Sequence, residues 1–111
     1  MTRGLPTIVD AHVHLWDPTR FRYAWLDDLP ALRRAMLPAD FRASCAPTDV
    51  AKLIFVESGC ECSQSLAEAD WISVLAKAEP RLKGVITHAP LERGEAVRAD
   101  LEFLRRRGYS R

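Results

Sequence analysis

A short, unbroken apolar run in the middle of the chain constrains the fold most. The run lies within Lys52–Glu57 and is closed by Ser58 and Gly59. Apolar residues on both faces of a strand are typical of a parallel sheet. Parallel strands need long crossover connections, for which helices are the usual solution. The run therefore predicts a buried strand, the second along the chain, with helical segments before or after it.

The segment after this strand has the spacing of an amphipathic helix. Ser65 and Glu68 have the pattern of a capping box at its start, and Pro80 stops the pattern. We predict a helix from about Ser65 to Glu79. The residues that recur at helical spacing within it are Ala67, Trp71, Val74, Leu75 and Ala78.

Two further segments repeat the strand and helix patterns. Thr7–Leu15 alternates β-branched or apolar residues with polar ones and predicts strand one. Leu82–His88 predicts strand three, and a helix marked by Val97, Leu101 and Leu104 follows until a C-terminal cap at Gly108. Arg105, Arg106 and Arg107 are interpreted as a solvated helix end that the helix dipole favours. The alternation predicts an α/β protein.

Between strands one and two, prolines interrupt the chain repeatedly. We predict a long, structured loop over Trp16–Pro47, with room for short helices at Ala31–Met36 and Ala39–Ser44. Its aromatic residues Trp16 and Trp25, with Asp17, either line a substrate pocket or pack the loop down, and we favour packing.

Composition excludes several classes of function. The 111 residues carry a net charge of +1 with both signs scattered, so we expect neither nucleic acid nor an acidic membrane as a partner. No apolar stretch approaches the roughly 18 residues that span a bilayer, and we expect a cytoplasmic protein. The three cysteines, Cys45, Cys60 and Cys62, suit a reducing compartment and are interpreted as thiols without chemistry.

The chemistry is predicted to lie at the ends of the strands. Asp10, His12 and His14 have the same parity on strand one, so we expect them on one face, with Asp10 in a structural role. Two imidazoles at this spacing suit a borderline metal such as zinc, which would need a third protein ligand from elsewhere. Glu57 and His88 end strands two and three and would converge on the same mouth, or else only form hydrogen bonds there.

The sequence of the chain also resembles a known family. Ile8–Pro18 is similar to the opening of the amidohydrolase 2 group, and the chain most resembles its sugar-lactonase branch, which includes fuconolactonase-like and rhamnonolactonase-like enzymes. Four further segments are similar to that branch: Tyr23–Leu26, Leu37–Arg42, Phe55–Glu57 and Ala89–Glu92.

The resemblance implies the N-terminal βαβαβα portion of a TIM (β/α)8 barrel, with residues 1–111 forming about three βα units of an incomplete barrel. It implies a hydrolase that opens a cyclic ester, usually a sugar lactone, by water attack assisted by metal or histidine. His12 and His14 take the metal-type position, and Glu57, His88 and Trp25 are expected near the small-molecule substrate. A divalent metal, zinc first, is expected, although not every member of this branch depends on one.

The family's later histidines and its final aspartate have no matching positions in these residues. The general base is thus expected beyond residue 111, and we expect the chain to be inactive alone. A homo-oligomer or a complementing C-terminal segment would be its protein partner. One alternative is a non-catalytic truncated product or partner-binding fragment. Another is a decarboxylase of the same superfamily. The lactonase-like sequence around Trp16, Pro18 and Leu37–Phe41 argues against it.

Overall fold

The fold is an α/β arrangement built on a three-stranded parallel sheet. It is seen in a computed structural model that describes residue 4 and residues 6–107. The strands lie in the order β1-β2-β3, so β2 is central. The elements in chain order are β1 Val9–Val13, α1 Pro38–Cys45, β2 Lys52–Val56, α2 Ser65–Ala78, β3 Leu82–Ile86 and α3 Arg98–Arg106. The predicted α/β class and the three strand–helix alternations are confirmed.

Irregularities in the strand register decide which side chains share a face. Lys52 and Leu53 align with Val9 and Asp10 of β1, but Phe55 aligns with Val13, so β1 carries one extra residue. β3 likewise carries an extra residue at Lys83, between Leu82 and Gly84. Each extra residue forms a bulge, which shifts the alternation of the strand by one position.

One face of the sheet is covered and forms the hydrophobic core. Leu53 and Phe55 of β2 are fully buried there against Ile72 of α2. The residues packed with them are Val13, Leu15, Phe21, Tyr23, Leu26, Val50, Trp71 and Leu82. The opposite face is open, since Ile54 and Val56 are only half-buried and Ile86 of β3 is 55% exposed.

The long connection between β1 and β2 is structured, as predicted, but its helices differ in part. Short 3-10 helices occupy Ala24–Asp28 and Pro30–Leu32, so the helix expected at Ala31–Met36 is present only over Ala31 and Leu32. The reason is that Met36 instead pairs with Trp16 in an antiparallel bridge, with N–O distances of 3.2 and 2.8 Å. The helix expected at Ala39–Ser44 is present as α1.

The helix α2 has the predicted extent but not the predicted cap. Its N-cap residue is Gln64, without a side-chain cap, and Ser65 is already helical. The Ser65 hydroxyl donates to the carbonyl of Cys62 at 2.9 Å, and Glu68 is buried, with 3% of its surface exposed. The capping box was therefore the wrong interpretation of these two residues, because Glu68 points into the protein rather than back to the helix start.

The helix α3 ends close to the predicted position, although its predicted cap, Gly108, lies outside the described residues. Arg105 and Arg106 are exposed in its last turn, as expected for a solvated end. Arg107 departs from that interpretation, since its guanidinium pairs with Asp70 of α2 and lies over the ring of Phe103. None of the helices in residues 6–107 is long and apolar enough to cross a membrane.

Candidate functional site

Two histidine side chains meet at the C-terminal end of β1. The Nε2 atoms of His12 and His14 lie 3.1 Å apart, and their ring planes are inclined at 73°. Both residues are exposed, and they flank Val13, which is buried in the core. Because successive side chains of a strand point to opposite faces, the pair lies on the open face of the sheet.

The environment of His14 fixes its chemistry. Its Nδ1 lies 3.0 Å from the carbonyl oxygen of Val56 on β2. A carbonyl only accepts hydrogen bonds, so Nδ1 carries the proton and donates it. In the neutral ring, Nε2 then carries the lone pair, and it accepts a hydrogen bond from the Nε2–H of His12. This bond to a backbone carbonyl is the support that metal-binding histidines usually have.

The spacing of the pair suits a shared metal ion. Two imidazole nitrogens bound tetrahedrally to one zinc ion at about 2.0–2.1 Å are separated by about 3.3 Å, close to the observed 3.1 Å. Within residues 6–107, however, no group of three or more His, Cys, Asp or Glu side chains could hold a metal. In donor type and spacing, the described residues thus supply two ligands of a catalytic metal site, but not the whole site.

Asp10 is not part of a regular row with these histidines. Asp10 aligns with Leu53, and the bulge that follows, between Asp10 and Val13, interrupts the two-residue stacking expected from the alternation. The Asp10 carboxylate accepts a hydrogen bond from the backbone N–H of His12 at 3.1 Å. The contact stabilises the bulged backbone just before the pair.

Glu57 lies directly after β2, where the sequence predicts a polar strand end. Its backbone N–H donates to the carbonyl of Ile86 at 2.9 Å, and its Oε2 accepts from the N–H of Gly59 at 2.8 Å. The half-buried carboxylate thereby closes a tight turn in which Gly59 has a positive φ of 72°. That conformation favours glycine, since a side chain would be strained there.

Trp25 connects the long β1–β2 segment to the same turn. Its indole N–H donates to the carbonyl of Ser58 at 2.7 Å, and its ring packs edge-on against Trp16 and Tyr23. The side chain of Ser58 donates in turn to the carbonyl of Leu15 at 2.7 Å. Trp25 is still 37% exposed, so it both packs the loop and presents apolar surface.

His88 follows β3 by two residues and is half-buried. Its Nε2 is enclosed and has no hydrogen-bond partner among the described residues. An enclosed nitrogen without a partner is uncommon in folded proteins. Hydrogen bonds connect the ends of β1 and β2. Among the described residues, none connects His88 to the histidine pair.

Sequence reasoning missed one buried acid behind the site. Glu68 of α2 lies close to Tyr23, Ser58 and Cys60, and burial raises its pKa to about 7, although the hydrogen bonds around it oppose this. The pattern in which it occurs is that of a helix cap, so the only signal for its burial was its helical spacing from Trp71 and Ile72.

The three cysteines are free thiols that differ in their exposure. Burial raises the pKa of Cys60 to about 12, which keeps it protonated at neutral pH. Cys62 is exposed and Cys45 is half-buried, and none of the three forms a disulfide.

Comparison with known proteins agrees with this fold. No protein-family model matches the chain. Over 113 aligned residues, the chain is 23% identical to the uncharacterized protein y4mH of Sinorhizobium fredii, and the match covers 91% of this chain but 38% of that protein. A solved structure of amidohydrolase 2 from Bifidobacterium longum subsp. infantis superposes with a TM-score of 0.66 at 22% identity. That match covers 77% of this chain and 34% of the solved one, so the chain shares the fold of about a third of an amidohydrolase 2 protein.

Proposed function

We propose that this chain is the first part of a metal-assisted hydrolase of the amidohydrolase type, with His12 and His14 as metal ligands. The observation that carries the proposal is the convergence of two Nε2 atoms 3.1 Å apart, one of them on a ring fixed by the Val56 carbonyl. A zinc ion bound there would lower the pKa of a bound water and so supply a nucleophile at neutral pH. The likeness in fold to amidohydrolase 2 supports the same class.

The chain's own residues would orient this chemistry rather than complete it. His14 holds its lone pair towards the open face because Val56 fixes its other nitrogen. We assign Glu57, His88 and Trp25 to the substrate side. Glu57 lies directly after β2, His88 follows β3, and Trp25 borders the turn after β2. We propose a sugar lactone as the substrate class, because the sequence of the β1 segment resembles that of the lactonase branch. A further strand would supply the general base.

A complementing segment is part of this proposal. The outer edge of β3 has no neighbouring strand among the described residues, and Ile86 beside it is exposed. A cavity of about 580 Å³ lies beside the segment that follows β3 and is lined in part by Val97, Leu101 and Leu104 of the α3 region. The Cα radius of gyration, 15.7 Å, exceeds the roughly 13 Å usual for about 100 residues. A further βα unit on this side would cover these apolar surfaces.

Zinc titration of the chain tests the metal proposal. We expect His12→Ala and His14→Ala to abolish binding in calorimetry, whereas His88→Ala, which removes a histidine outside the pair, retains it. Equal binding by all three variants would overturn the assignment of the pair.

Hydrolysis is tested on the chain extended with further βα units, using a panel of sugar lactones and detection of the acid released. Carbon dioxide release from a carboxylated substrate without lactone opening would instead support the related decarboxylase. Binding of a folded partner without either reaction would support the non-catalytic alternative.

A further inference from the structure

The carboxyl group of Glu68 is enclosed behind the turn that follows β2. Only 3% of the residue is exposed, and its Oε2 has no hydrogen-bond partner among the described residues. The groups that approach the carboxyl are the backbone N–H of Ser58, the thiol of Cys60 and the phenol of Tyr23. An acid is costly to bury at such a place, so its presence calls for a role beyond packing.

The front of the same turn is bonded to the histidine pair and its neighbours. The carbonyl of Val56, the last residue of β2, accepts the hydrogen bond from His14, and Ser58 donates to Leu15, the residue after His14. The Gly59 N–H closes the turn onto the Glu57 carboxylate. A displacement of this turn would therefore move the support of His14 and the carboxylate of Glu57 together.

The titratable groups around Glu68 come from two elements. The turn contributes Glu57 and Cys60, and the long β1–β2 segment contributes Tyr23. Burial and Glu57 disfavour the charged carboxylate, whereas the hydrogen bonds from Ser58, Cys60 and Tyr23 favour it. None of these neighbours is a cation, so none of them offsets the cost of burying the charged carboxylate as an ion pair would.

We propose that Glu68 is a positioning residue whose buried carboxyl fixes the Ser58–Cys60 turn from behind and thereby holds His14 on the open face and the Glu57 carboxylate in the turn. Its catalytic consequence rests on the proposed function, but the positioning itself does not.

The indole N–H of Trp25, which donates to Ser58, is a direct reporter of the turn. NMR spectra of the 111-residue chain are compared for the wild type, Glu68→Gln, Glu68→Leu and a control, Glu102→Gln, at an exposed position of α3. We expect the wild-type Trp25 signal to move between pH 6 and 8 and this movement to be lost in Glu68→Gln and kept in the control.

Zinc affinity provides the second readout. We expect Glu68→Leu to weaken zinc binding about tenfold, as the loss of outer-shell support does elsewhere, while Glu68→Gln keeps wild-type affinity at pH 6. If Glu68→Leu fails to fold, the pH profile of Glu68→Gln decides: a wild-type profile would overturn the inference. If the wild type binds no zinc, the assignment of His12 and His14 as metal ligands fails, yet the Trp25 signal still tests the positioning.

Discussion

The two faces of the sheet differ although the same strands build both. On the covered face, Leu53 and Phe55 of β2 have no exposed surface. On the open face, their neighbours Ile54 and Val56 are half-buried, and Ile86 of β3 is exposed. The histidine pair lies on the open face, whereas the buried acid Glu68 belongs to the helix layer. Stability therefore comes from one face, and the proposed chemistry is presented by the other.

The largest effect that would separate the two faces is expected for Phe55→Ala. Removing a fully buried phenylalanine leaves a cavity in the core and should lower the free energy of unfolding by about 3–5 kcal/mol. Urea denaturation followed by circular dichroism measures the change. A cost below about 1 kcal/mol would show that the covered face is not the main source of stability.

The pH dependence of stability tests the buried acid of the covered layer. The pKa of Glu68 is raised from 4.5 to about 7 by burial, so the folded state binds a proton that the unfolded state has lost. The contribution of Glu68 to stability is therefore fully present below about pH 4.5, falls as pH rises towards 7 and levels off above it, by about 3 kcal/mol in total.

The measurement is urea denaturation of the wild type and Glu68→Gln at several pH values from 5 to 8. Glutamine does not titrate, so we expect the difference between the two proteins to grow with pH in favour of Glu68→Gln. Parallel curves would show that the pKa of Glu68 is not raised.

A third substitution tests how freely the open face moves. A Cβ at Gly84 would lie 2.9 Å from the Cδ1 atom of Ile54, the far end of a flexible side chain on a half-buried position. We expect Gly84→Ala to lower the free energy of unfolding by less than about 1 kcal/mol, because Ile54 can turn towards the open side. Restoration by Ile54→Val in the double variant would identify this contact as the cause of any larger loss.

The smallest effect is expected at Ile86. Replacing this 55% exposed residue by threonine should change the free energy of unfolding by no more than about 0.5 kcal/mol. The same substitution should reduce self-association, measured by light scattering, because it removes apolar surface. A loss comparable with that of Phe55→Ala would mean that the open face is covered in the isolated chain.

Sequence patterns gave the strands and helices closely, because alternation and helical spacing are local properties. Strand two was expected at Lys52–Glu57 and spans Lys52–Val56, and the helix expected at Ser65–Glu79 spans Ser65–Ala78. The closeness of His12 and His14 also followed from their spacing. The bulge beside Asp10 and the burial of Glu68 could not be predicted from the sequence spacing, because both depend on how β2 and its turn pack against neighbouring elements.

The hydrogen bond between His14 and Val56 has a further consequence for assembly. A slip of one residue between β1 and β2 would move the Val56 carbonyl by about 3.3 Å and leave the ring without its fixed partner. Only correctly paired strands then offer two aligned nitrogens, so a metal ion would bind the native alignment more tightly than any slipped one. The ion would act as a selector of strand register, in addition to any role in chemistry.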